Sequence, residues 1–247
     1  VSIPTGISKL DAALTGGLDK GKMGLLIGSA GFGKSTFSTC IASHASTCRC
    51  EANDYQGFKV LQIYFEDDNV DIARKHFSKI TQTEARMLTR EPSLTEQIKE
   101  QLANFPDREM MNRNLRLKRF NTGTKKASDI EKFIKKCRQN GFSPDLVIID
   151  YFECLKPEKN VDGNNESEWT REGITMRKLE GIAKEFNVKI TLEHVTEGSL
   201  IVDELAKENV MLAVGPTLSH RTKFELKNLS FKTPGDLANA GCHVSII

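Results

Sequence analysis

The sequence has no strong excess of charge of either sign. Its 247 residues carry 35 Lys and Arg against 33 Asp and Glu, which leaves a formal net charge of +2. A balance this even does not by itself indicate nucleic-acid binding, so any such function must depend on where the basic residues lie. The composition, 38% hydrophobic and 28% charged, is typical of a soluble globular protein with a buried core.

Long apolar segments are also lacking. No apolar run approaches the roughly 20 residues that a membrane-spanning helix needs, and residues 1–6 contain no signal-peptide pattern. We therefore expect no membrane partner and a cytoplasmic location. Because the chain starts with Val1 instead of Met and ends at Ile247 within an apolar run, we expect it to be an excised or assembled piece.

Cysteine is present but not in the arrangement of a metal site. Of six cysteines, only Cys48 and Cys50 lie close together, and one C-x-C pair without a second pair is a weak metal signal. The spacing therefore favours ordinary reduced thiols.

A phosphate-binding pattern stands out against these absences. Residues 28–35 read G-x-x-x-x-G-K-S directly after the apolar run 23–27. Small residues let such a loop curl so that backbone N–H groups converge on phosphate oxygens at a helix N-terminus. Lys34 would then reach the β- and γ-phosphates, and Ser35 would bind a bridging Mg²⁺ ion. A merely structural turn is the alternative, but the strand-like and helical flanks favour a P-loop. The predicted nucleotide-binding residues in this segment are Gly28, Ser29, Ala30, Gly31, Phe32, Gly33, Lys34, Ser35 and Thr36.

Two further strands end in acidic residues. Glu66 follows the strand-like run 59–65, and Asp150 ends the apolar run 146–149. Open α/β sheets bind ligands beyond the carboxyl ends of their strands, so both carboxylates are expected on the phosphate side. Asp150 matches a Walker B aspartate, which holds the same Mg²⁺ as Ser35. The alternative for residues 66–68 is capping of the helix predicted at 70–80, a role assigned here to Asp67 and Asp68.

The most basic part of the chain is Arg108–Arg138, with eleven Lys or Arg against three acids. Within it, residues 115–120 alternate apolar and basic, which indicates a half-buried strand. The region is either a surface for the phosphate backbone of single-stranded DNA or a solvated face whose helix at 128–139 carries charges that suit its dipole. Both interpretations stay open.

Three segments together identify a family. "GSAGFGKST", "VLQIYFED" and "LVIIDYFECL", followed by a polar loop at 157–168 and a helix at 168–186, resemble the RecA-like ATPase domain of DnaB-like replicative helicases, particularly those of phages. The resemblance covers residues 1 to about 189. It implies ATP and Mg²⁺ as cofactors, Glu66 as the catalytic base, a hexameric parent and an arginine finger supplied by a neighbouring subunit.

The last part of the chain departs from that family. "ITLEHVTEG" and the sequence after it resemble the sixth to eighth β/α units of a metal-dependent amidohydrolase barrel of the imidazolonepropionase-like branch. This resemblance implies that His194 is a vestigial Zn²⁺ ligand. Because the other metal ligands are missing, the residues favour a polar role for His194 near the nucleotide cleft. The chain would then be a chimera, natural or engineered, and a seam inside a strand favours engineering.

The expected fold is α/β, a doubly wound, mostly parallel sheet in the three-layer sandwich of P-loop NTPases. Residues 1–189 would form the ATPase segment, and the barrel-derived residues 190–247 would complete the same sheet. The resemblance to P-loop ATPases with a catalytic glutamate implies that the strand at 189–193 lies between those of Asp150 and the P-loop and the strand at 210–214 on the outer side, which leaves the strand at 243–247 at the edge. A parallel, right-handed β/α piece is compatible with these places. We expect Mg·ATP binding with weak or lost hydrolysis, because the segment that normally supplies the arginine finger is replaced. The alternatives are an amidohydrolase fragment and a purely structural protein without activity.

Overall fold

A computed structural model describes residues 1–28, 33–84, 88, 94–158, 168–194, 210–214 and 244–246. No helix in these ranges is long and apolar enough to cross a membrane. The helices described here are α1 (Ser8–Ala13), α2 (Lys34–Thr47), α3 (Asn69–Thr81), α4 (Leu94–Ala103), α5 (Arg108–Asn114), α6 (Ala127–Gln139) and α7 (Glu168–Phe186). The strands are β1 (Ser2–Ile3), β2 (Leu18–Asp19), β3 (Met23–Gly28), β4 (Val60–Tyr64), β5 (Leu115–Arg119), β6 (Leu146–Asp150), β7 (Lys189–His194), β8 (Val210–Val214) and β9 (Val244–Ile246).

The seven strands β3 to β9 form one sheet, in the order β5-β4-β6-β7-β3-β8-β9. Strands β3 to β8 all run parallel, and β9 pairs antiparallel with β8. A small antiparallel pair, β1 and β2, lies outside this sheet. The predicted doubly wound, mostly parallel sheet is confirmed, as are the central place of β7, the outer place of β8 and the edge place of β9.

The sheet is covered on both faces, which explains why its central strands are apolar almost throughout. Every residue of β4 and β6 is buried, as expected for parallel strands between two helical layers. On one face, Phe37 and Ile41 of α2 pack in a cluster with alternate strand residues. On the other face, α6 and α7 contribute Ile134 and Leu179. The molecule therefore has three layers, with the sheet in the middle.

Strand β5 lies at one end of the described sheet and, unlike β4 and β6, is rich in basic residues and only partly buried. The strand predicted at 115–120 is present as Leu115–Arg119. Its two apolar side chains differ, however, because Leu115 packs half-buried against the core whereas Leu117 is 39% exposed. The guanidinium carbon of Arg116 lies 5.0 Å from the ring centroid of Phe142, and the ammonium of Lys118 lies 5.1 Å from that of Phe120. The charged ends of these two side chains therefore lie over aromatic rings.

Candidate functional site

The strand register places the predicted site residues along one edge of the sheet. Ile27 pairs with His194 and Gly28 with Val214, while on neighbouring strands Tyr64 pairs with Asp150. All these strands are parallel, so their carboxyl ends meet at this edge, which is where ligands bind in open α/β sheets.

The phosphate-binding segment joins β3 to α2 at this edge. Residues Ser29, Ala30, Gly31 and Phe32 lie outside the described residues. Gly33 precedes the first residue of α2 with φ 81° and ψ 18°, a left-handed conformation that glycine adopts without the strain other residues incur. The helix starts at Lys34, so the N–H groups of its first turn lie next to the segment, as anion binding requires.

Two charged side chains at this edge are buried. Lys34 is 7% exposed and Asp150 is 6% exposed, whereas Ser35 is half-buried and Thr36 is exposed. The ammonium of Lys34 suits phosphate oxygens, and the carboxylate of Asp150 with the hydroxyl of Ser35 supplies the hard oxygen ligands that Mg²⁺ prefers. The described donor set therefore fits a magnesium–phosphate ligand.

Glu66 lies beside Asp150, held there by contacts between β4 and β6. The backbone N–H of Phe65 donates to the carbonyl of Asp150 at 3.1 Å, and the hydroxyl of Tyr151 donates to Oε1 of Glu66 at 2.7 Å. The peptide between Asp150 and Tyr151 is cis. Glu66 itself is exposed, so its carboxylate is oriented by the Tyr151 hydroxyl and remains open to solvent.

Tyr151 is a site residue that sequence reasoning missed. The Glu66 carboxylate raises the pKa of the Tyr151 phenol, because a phenolate beside a carboxylate is disfavoured and the neutral phenol can donate a hydrogen bond. The available signal was its position directly after a strand-ending aspartate, next to the end of the Glu66 strand.

The three consecutive acids at 66–68 take three different roles. Asp68 accepts a hydrogen bond from the N–H of Asp71 at 2.8 Å and is the N-cap of α3, which confirms its predicted capping role. Asp67 was also assigned to capping, but it pairs with Lys75 of the same helix. Of the three, Glu66 is the one that bonds to the neighbouring strand end.

His194 ends β7, the strand between β3 and β6. Its side chain lies outside the description, so its assignment as a zinc ligand stays a prediction. Among the side chains that the structure places, no group of three or more His, Cys, Asp or Glu could hold a metal ion.

The basic region divides into two parts. On α6, Glu131 accepts from Lys135 at 2.6 Å and pairs with Lys178 at 2.7 Å, so part of the charge is neutralised locally. At the end of β5 and after it, the Lys118 ammonium lies 5.1 Å and the Lys125 ammonium 5.5 Å from the centroid of the same ring, that of Phe120. These two ammonium groups are held by an aromatic ring at the carboxyl edge of the sheet.

Comparison with known proteins finds a family model and solved structures of the same fold. The family model described as DnaB-like helicase C terminal domain matches residues 2–194. A solved structure of a DnaB-like replicative helicase, described together with its interactions with primase, superposes with a TM-score of 0.67 at 15% identity and covers 87% of this chain. A second solved structure, described as an ATPase domain, superposes with a TM-score of 0.64 at 16% identity and covers 92% of this chain.

The extent of these matches differs. The aligned part spans 52% of the helicase structure and 81% of the ATPase-domain structure, so the chain corresponds to about half of the first protein. No curated protein sequence shows a significant match.

Proposed function

Because the chain belongs to the DnaB-like helicase C-terminal domain family, we propose that it binds Mg·ATP at the carboxyl edge of its sheet and hydrolyses it slowly. One observation carries the proposal. A buried lysine at the start of α2 and a buried aspartate at the end of β6 lie at the same edge, with Glu66 hydrogen-bonded to Tyr151 beside the aspartate.

The phosphate-binding roles follow from residue chemistry. Residues 28–36 are the proposed phosphate-binding segment, and Lys34 would neutralise the β- and γ-phosphate charge. Ser35 and Asp150 would hold Mg²⁺, directly or through water. The ion would supply neutralisation of the phosphate charge.

Glu66 is proposed as the general base. It accepts the proton of the water that attacks the γ-phosphate, while the Tyr151 hydroxyl keeps the carboxylate oriented. The chain alone is expected to turn over slowly, because an arginine from a neighbouring subunit contributes about 10³ to 10⁵ in rate in related chemistry.

His194 is proposed as a polar residue near the nucleotide, because its strand lies between those of the P-loop and Asp150. The competing proposal is that residues 190–247 derive from an amidohydrolase barrel and form the second part of a chimera. It rests on the sequence resemblance of this segment alone, and the family match extends into the segment as far as residue 194. Atomic spectroscopy separates the two. Stoichiometric zinc that is lost in His194→Ala would favour the metal-dependent alternative.

Single-stranded DNA is the proposed macromolecular partner, and the ring-held Lys118 and Lys125 are its proposed phosphate contacts. Replacing both with Gln should weaken binding of a labelled oligonucleotide and make its salt dependence shallower. Lys135, which is already paired with Glu131, provides the matched control.

Hexamer formation, implied by the resemblance to DnaB-like helicases, is tested by sedimentation with Mg²⁺ and a non-hydrolysable ATP analogue.

The primary test is calorimetric titration with Mg·ATP. Lys34→Ala should abolish measurable binding, whereas Lys22→Ala, an exposed lysine at the opposite edge of the sheet, should leave the affinity unchanged. Equal affinities of the wild type and Lys34→Ala would refute the proposed site, and a folded protein without binding would favour the purely structural alternative.

A further inference from the structure

Four polar side chains form a hydrogen-bonded chain beneath α2. The hydroxyl of Ser43 lies 2.8 Å from Nδ1 of His76, and Nε2 of His76 lies 3.0 Å from Oε1 of Gln62. At the other end of the same amide, Nε2 of Gln62 donates to the hydroxyl of Thr39 at 3.4 Å. We call Thr39, Ser43, Gln62 and His76 the polar network.

All four side chains are removed from solvent. None exceeds 5% exposure, and Gln62 is fully buried. Buried polar groups are costly unless they are hydrogen-bonded, and here each has a partner within the network. Burial also lowers the pKa of His76 to about 4, so the imidazole is neutral at pH 7. Because Oε1 of Gln62 can only accept, Nε2 of His76 carries the hydrogen, and Nδ1 accepts from Ser43.

The network connects three elements of the proposed site. Thr39 and Ser43 lie four and eight residues after Ser35 on α2, so the three hydroxyls share one helix face. Gln62 lies on β4, four residues before Glu66, and His76 lies on α3. The helix that begins at the P-loop is therefore bonded to the strand before Glu66 and to the helix after it.

Apolar side chains of similar shape would fill this space without the need to satisfy buried polar atoms. Hydrogen bonds differ from apolar contacts in being directional, so they fix the rotation and register of the elements they join. Catalytic groups need such support, since their geometry must be held to a fraction of an ångström.

We propose that the polar network is a positioning device that sets Glu66 relative to the P-loop helix α2. The inference rests on the proposed function, because it concerns the same carboxylate. Its members touch neither substrate nor metal, and they act through β4 and α3.

The first test detects a change in the position of Glu66 in the absence of nucleotide, through the fluorine signal of the tyrosine that contacts it. The chain has three tyrosines, and Tyr151 contacts Glu66, so fluorine NMR of protein labelled with 3-fluorotyrosine gives a resonance at this contact, assigned with Tyr151→Phe. Ser43→Ala should shift that resonance, while the resonance of the exposed Tyr55 stays fixed.

Matched variants separate positioning from general loss of a buried hydroxyl. Ser46 is as buried as Ser43, and its hydroxyl donates to the backbone carbonyl of Ser43 at 2.9 Å, outside the network. Ser46→Ala should therefore leave the Tyr151 resonance in place. Thr39→Val, which keeps the side-chain shape, should shift it, and Thr39→Ser, which keeps the hydroxyl, should restore it. If Ser43→Ala does not fold, this threonine pair decides the question.

The second test separates turnover from binding. In Ser43→Ala and Thr39→Val, kcat for ATP should fall about tenfold, the scale of a small misplacement of a catalytic group, while the Kd for Mg·ATP stays within about threefold because the P-loop contacts remain. Ser46→Ala should match the wild type in both.

The outcomes distinguish the two proposals. An unmoved Tyr151 resonance in both Ser43→Ala and Thr39→Val would overturn the positioning role, whatever the nucleotide data show. Absence of Mg·ATP binding in the wild type would overturn the proposed function, and the fluorine measurement would still decide whether the network positions Glu66.

Discussion

Two fully buried polar side chains on the same face of the sheet have opposite surroundings. Gln62 on β4 and Lys189 on β7 are both 0% exposed, and both point toward the α2 side. Gln62 bonds at both ends of its amide, whereas the Nζ atom of Lys189 has no hydrogen-bond partner among the described residues. The comparison separates a buried group that can fix geometry from one that contributes mainly a desolvation cost.

The largest expected effect is a gain in stability on removing the unpartnered amine. Burial lowers the pKa of Lys189 to about 8. The Asp19 carboxylate opposes this shift, and the Lys22 ammonium adds to it. The difference from the ordinary value of 10.5 corresponds to about 3 kcal/mol. Lys189→Met should increase the free energy of unfolding in urea at pH 7 by up to about that amount. A loss of stability instead would show that the amine has a favourable partner.

The same amine predicts a pH dependence. Below pH 8 the lysine is protonated in both the folded and unfolded states, and the full cost is present. Between pH 8 and 10.5 the unfolded state binds more protons, so stability should rise with pH by up to about 3 kcal/mol. Urea titrations at pH values of about 7.5 and about 9.5, on either side of the lowered pKa, should show this rise in the wild type and a smaller one in Lys189→Met. Parallel curves for the two proteins would contradict the assignment.

The contribution of the hydrogen-bonded residue, Gln62, to stability is tested by Gln62→Leu. This change leaves the His76 ring and the Thr39 hydroxyl without their shared partner in a buried site, which typically costs about 1 to 3 kcal/mol; we expect a loss of about 2 kcal/mol. Ile63→Val, at an equally buried neighbour on the other face, provides a scale for small packing changes on the same strand. A gain in stability would mean that the buried Gln62 amide, like the Lys189 amine, destabilises the folded state.

The smallest expected effect comes from the ends of the polar network. Ser43→Ala should lower the free energy of unfolding by about 1 kcal/mol more than Ser46→Ala, because only the first removes a partner of His76. Thermal unfolding of the two variants side by side gives the difference directly. Equal values would indicate that the Ser43–His76 bond contributes nothing measurable.

Much of the sheet could be predicted from the sequence. The apolar patterns predicted strands at β7, β8 and β9, and their places followed from the strand order that the resemblance to P-loop ATPases implies, with which a parallel, right-handed β/α piece is compatible. The proximity of Glu66 to Asp150 could be expected, since both residues lie at the ends of parallel strands.

The side-chain contacts could not be predicted in this way. Ser43, Gln62 and His76 are separated by 14 to 33 residues, and nothing in their local patterns shows that they meet. Lys189 looks like an ordinary polar residue at the start of a strand, and its burial depends on how segments distant in sequence cover the sheet. The assignments within residues 29–32 and the side chain of His194 stay predictions.

The charged outer strand β5 has a consequence for the behaviour of the protein in concentrated solution. A strand at the end of a sheet can pair with a strand of another molecule, which is a common route to aggregation. Arg116, Lys118 and Arg119 occupy three of the five positions of β5, and like charges would face each other if two such edges met. The same side chains that make this region basic therefore also protect this end of the described sheet against edge-to-edge association.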